Sequence, residues 1–197
     1  MKAVLNSFKG KGKYVLFAIL FFACGIVLGG ALFWQNPQFF LVNLDKILGN
    51  ILKISEAAEK ANKLYLAWLI FQNNARALLI MIFGGIILGL VPLFALLFNG
   101  FIVGLVLSLN FYSGKSLSFF LAAMLPHGVL ELPAILVGAA FGLKTGAELL
   151  LPRGESRLGV LKKNLKEGAF ALCILIPALF VAALVEAFIT PLLVSFL

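Results

Sequence analysis

Between Leu64 and Asn110 the chain carries a single charged residue, Arg76, in 47 positions. One helix through that run would be about 70 Å long, more than twice the roughly 30 Å hydrocarbon core of a bilayer. The segment therefore has to cross a membrane, turn, and cross back. Pro92, following Gly89, marks the turn, because proline removes a backbone donor and breaks a helix. The expected spans are about 68–90 and 92–110.

Three more apolar stretches have the length of a membrane span: about 14–33, 116–143 and 168–190. The chain is 62% hydrophobic and 12% charged, with a mean hydropathy of +1.10. Soluble domains are about 45–50% apolar and about 25% charged. The fold class is an all-α membrane protein of five transmembrane helices forming one domain. The lysine-rich residues 2–13 ahead of the first span resemble a signal peptide, but the apolar run is too long for one and has no A-x-A site, so the span is expected to stay uncleaved.

Asn36-Pro37 reads as an N-cap followed by proline at the first helical position. The helix it opens is expected to be amphipathic and to run to Lys63. Leu44, Ile47, Ile51, Ile54, Ala58, Ala61 and Tyr65 fall on a/d heptad spacing. The helix either lies at the interface over the bundle or forms a dimer seam.

The fourth span is too long to lie straight across the core, and Pro126 and Pro133 would kink or break it. Small residues at i, i+4 let helices approach closely, and Gly85/Gly89, Gly100/Gly104 and Gly138/Gly142 have that spacing. They are expected to be packing positions.

The net charge is +8. Its basic residues sit between apolar segments, without a nucleic-acid motif, so no nucleic-acid partner is expected. Residues 144–167 read as a polar loop with six basic and three acidic residues, able to attract anionic lipid headgroups. Basic segments stay cytoplasmic. Five spans place the N-terminus and this loop together in the cytoplasm and the C-terminus outside the cell membrane.

Ionisable residues inside spans are functional candidates by default. His127 and Glu131 are one turn apart on the same face, with Glu131 near mid-bilayer. Arg76 and Glu186 count to the outer half of their spans, and Asn73, Asn74 and Asn99 lie nearby in depth. Arg76 could pair with a carboxylate. These residues form either a hydrogen-bonded knot that fixes packing, or a proton, ion or ligand site at a broken helix. One histidine with scattered carboxylates lacks zinc-enzyme spacing, and there is no G-x-S-x-G elbow. Cys24 and Cys173 offer no disulfide framework. No catalytic residue, metal or cofactor is expected.

Three motifs, Phe71-Gln72-Asn73-Asn74-Ala75-Arg76, Asn99-Gly100 with Gly104, and Pro126-His127-Gly128-Val129-Leu130-Glu131-Leu132-Pro133-Ala134, resemble those of the stage II sporulation protein M family. The likeness is densest from Leu64 to Glu148. In spore formers the family's named member is a membrane scaffold for two cell-wall-degrading partners during engulfment. The resemblance thus implies a non-enzymatic scaffold or assembly protein that recruits or anchors membrane or envelope partners. Self-association, with a dimer favoured, would use the glycine faces and the 37–63 helix. The alternatives are a transporter or channel component using His127/Glu131, and an intramembrane metalloenzyme.

Overall fold

A computed structural model describes residues 8, 10–47, 49, 62–152, 154 and 156–196, apart from the side chains of His127 and Val194. The helices are α1 (Gly12–Gln35), α2 (Pro37–Val42), α3 (Lys63–Phe83), α4 (Leu90–Tyr112), α5 (Leu117–Leu150), α6 (Arg157–Phe188) and α7 (Thr190–Val194). Five segments are long and apolar enough to span a membrane, one each from α1, α3, α4 and α5 and one running from α6 into α7. The chain has the architecture of a multi-pass membrane protein.

Local chemistry sets the boundaries. Asn36 Oδ1 accepts from the Phe39 N–H at 3.1 Å, and Pro37 occupies the first turn of α2. That helix stops at Val42, where the Asn43 side chain donates to the Phe39 carbonyl at 2.8 Å. Helix resumes over 44–47, and Leu44 and Ile47 pack on Phe33, Phe40 and Leu105. A single helix from 37 to 63 is thus corrected at both ends. Asn62 caps a new helix, its Oδ1 accepting from Leu64 N–H at 3.1 Å. The heptad positions Ile51, Ile54, Ala58 and Ala61 lie outside the described residues.

The reversal after α3 comes before Pro92. A 3-10 turn at Gly84–Ile86 leads to Leu88 and Gly89 at φ 50° and 78°, the left-handed region that glycine enters without penalty. Pro92 instead sits buried in the first turn of α4, where its missing donor costs nothing.

Helix α5 is continuous through Pro126 and Pro133, so the expected break is absent. Helices in a bundle tolerate interior proline because their neighbours hold the flanking turns in place. The polar loop at 144–167 is also corrected. α5 runs on to Leu150 and α6 starts at Arg157 behind its cap Ser156, which leaves only a short turn.

Glycine controls how closely the helices approach. α1 and α4 run side by side, and a Cβ added at Gly25, Gly29, Gly100 or Gly104 would overlap the partner helix backbone. Gly85 faces Gly142, Gly89 faces Gly146, and Gly138 faces Leu78 and Ile82. These glycine faces are occupied within the chain itself. The core between the helices includes Leu78, Met81, Leu96, Ala139 and Leu179, all fully buried.

The two ends of the bundle differ. At the end holding residues 10–12 and both the 84–89 and 150–157 turns, Glu167 Oε2 accepts from Lys11 and Lys144, each at 2.7 Å. Asn164 Nδ2 donates to Glu148 at 2.8 Å, and Lys11 lies 4.5 Å from the Phe141 ring centroid. Burial draws the Lys11 ammonium below the ordinary lysine value, and its hydrogen bond to Glu167 pulls it back upward. The opposite end is aromatic, with Phe33 edge-on to Trp34 and Tyr112.

Candidate functional site

Four helices bring polar side chains to one groove in the half of the bundle nearer the aromatic end. α3 supplies Asn73 and Asn74, α4 Asn99, α5 Glu131 and α6 Glu186. They line a cavity of about 400 Å³ whose apolar walls include Ile70, Ile102, Phe120 and Met124. A second cavity of about 320 Å³ reaches towards Phe22 and Ile26 of α1 and shares Asn99, Met124 and Glu131 with the first. Glu131 therefore stands between two compartments of one groove.

Hydrogen bonding in the groove is sparse. Asn73 Nδ2 donates to Asn74 Oδ1 at 3.3 Å, and the Asn74 side chain reaches the Glu131 carboxyl group. Asn99 Nδ2 turns back to the Ala95 carbonyl at 2.7 Å, which leaves its oxygen for the groove. Among the described residues Glu186 has no ion pair or hydrogen-bond partner. It lines the same cavity as Glu131. The groove is open at the side, because both Asn73 and Asn99 are exposed.

Glu131, Glu186, Asn73, Asn74 and Asn99 come together as the depth count suggests, but Arg76 does not join them. It lies two residues past the buried Asn74, about 200° around the helix, and its side chain is exposed. Among the described residues it has no ion-pair partner. The expected Arg76–carboxylate pair is not formed among the described residues. The side chain of His127 lies outside the described residues. No group of three or more His, Cys, Asp or Glu side chains is arranged to hold a metal among the described residues.

Two features of this region escape a reading of the sequence alone. Gly128 lines the smaller cavity, and a Cβ there would meet nothing closer than Met124 Cγ at 3.9 Å. Glycine inside a helix costs about 1 kcal/mol relative to alanine, and packing in this chain does not call for it. Gly128 instead keeps the groove wide. The second feature is the floor. On the side away from the aromatic end, Leu78, Met81, Ile82, Leu96, Ala139 and Leu179, each at most 2% exposed, belong to the packed apolar core, and none of them lines either cavity.

Two uncharacterized proteins of Methanocaldococcus jannaschii are similar to the chain. One is 31% identical over 131 residues, covering 65% of this chain and 72% of its own length. The other is 29% identical over 196 residues, covering 96% and 87%. No solved structure matches. The family model described as stage II sporulation protein M matches residues 18–191, which takes in all five spans and every residue of the groove, and the chain belongs to that family.

Proposed function

We propose that this protein is a non-enzymatic membrane scaffold that recruits or anchors other membrane or envelope proteins, with its N-terminus cytoplasmic and its C-terminus outside. The observation that carries this reading is the groove itself, which is polar, open at the side and closed below by packed apolar side chains. A conduit needs water to continue past Glu131, and the residues deeper in the bundle are apolar and packed, which favours a contact surface. A docking face needs a fixed shape, and glycine-mediated backbone contacts supply one. The orientation rests on Lys11, Lys13, Lys144, Arg157, Lys162, Lys163 and Lys166, which gather at the end opposite the aromatic one. That basic end also suits anionic headgroups.

The test is site-specific photocrosslinking in native membranes. A photoreactive residue at Met124, inside the groove, is compared with one at Val27, which is 69% exposed on α1. The expected result is discrete protein adducts from Met124, some of them with masses other than multiples of this chain, and none from Val27. Equal, diffuse labelling from both sites would contradict the scaffold reading.

A further inference from the structure

Arg76 and the groove carboxylates pose complementary problems. Arg76 is exposed on α3, near the middle of the Lys63–Ile86 span. A guanidinium facing lipid at that depth needs an anionic partner, and the chain provides none among the described residues. Glu131 and Glu186 need a cation or a proton for the same reason, and among the described residues no cation lines their cavity.

Their depths agree. Arg76 on α3, Asn99 on α4 and Glu131 on α5 each lie about 20 Å from the aromatic end of their helix. A two-fold axis along the membrane normal leaves depth unchanged, and a two-fold contact is reciprocal. Two copies related in this way each present an arginine at the level where the other presents Glu131. Asn73, one turn from Arg76 on the same helix, lines the groove and is exposed, so the arginine and the groove mouth belong to one side of the molecule.

We infer that Arg76 of one copy enters the Glu131/Glu186 groove of a second copy, forming a symmetric dimer held by two buried arginine–carboxylate contacts. The dimer does not depend on the scaffold reading, because it concerns this chain alone. It also replaces the glycine faces as the route to self-association, since those are filled within the chain.

Charge exchange between copies tests the pairing. Copies carrying Arg76→Glu and Glu131→Lys, with different affinity tags, are expressed separately and together, and their dimers are counted by native mass spectrometry from lipid nanodiscs. Each variant alone places like charges in both contacts, whereas the mixed dimer has one native pair and one reversed pair. The mixed dimer is expected to exceed either homodimer by at least ~10-fold, since like charges juxtaposed at an interface cost several kcal/mol. A wild-type protein that stays monomeric overturns the inference. So does rescue that requires both changes in one chain, which would mean the pair forms within a single copy.

A crosslink covers the case in which the charge variants fail to fold. With Cys24 and Cys173 changed to alanine and Arg76 kept, Gln72→Cys, one turn from Arg76 towards the aromatic end, in one tagged copy is oxidised against Met124→Cys in the other. A disulfide between the two tags is expected. Its absence, when both thiols react with maleimide, overturns the dimer.

Discussion

Lys11 and Glu167, 156 positions apart in sequence, are joined by a 2.7 Å ion pair at the basic end of the bundle. Lys144 reaches the same carboxylate oxygen at 2.7 Å, so one acidic side chain ties the starts of α1 and α6 to the lower part of α5. Lys11 is 4% exposed and Lys144 12%, and removing Glu167 strands two poorly solvated ammonium groups. Glu167→Gln is expected to lower stability by about 1.5–3 kcal/mol, the range for hydrogen bonds to charged groups. Thermal unfolding in detergent, followed by helical circular dichroism, checks this.

The same substitution should have opposite effects at two glycines. A Cβ at Gly100 overlaps the Phe22 carbonyl oxygen, and backbone cannot move aside as a side chain does. Gly100→Ala is expected to cost about 1–3 kcal/mol, as overpacking does. At Gly128 the nearest atom is 3.9 Å away, and alanine restores helix propensity. Gly128→Ala is expected to stabilise by about 0.4–1 kcal/mol. Unfolding midpoints that move in the same direction for both variants would remove the distinction drawn between packing glycines and a groove glycine.

Orientation can be tested with single cysteines in a background lacking Cys24 and Cys173. Ser113 is in the turn between α4 and α5, and Ser156 caps α6 at the basic end. A membrane-impermeant maleimide is expected to label Ser113→Cys in intact cells and Ser156→Cys only after lysis. The reverse pattern would invert the topology.

Much of this architecture is legible in the sequence, because hydrocarbon imposes a length and a composition that few other environments do. The apolar run around Arg76 requires two crossings, and Asn36-Pro37 announces its own cap. The misreadings have a common source. Pro92, expected to end a helix, sits in the first turn of α4, and α5 is not broken at Pro126 or Pro133, since neighbouring helices support turns that proline alone would destabilise. Glu131, Glu186, Asn73, Asn74 and Asn99 line one cavity, whereas Arg76 is exposed, because depth says nothing about which way a side chain faces. The Lys11–Glu167–Lys144 cluster joins residues from three segments, and no local pattern announces it.

The central claim is that the groove around Glu131 is a contact surface and does not lead across the membrane. Proton and cation flux into liposomes bearing the purified protein, under an imposed gradient, measures this directly. The account predicts no flux above that of empty liposomes for either the wild-type protein or Glu131→Gln. Flux through the wild-type protein that disappears in Glu131→Gln would contradict it.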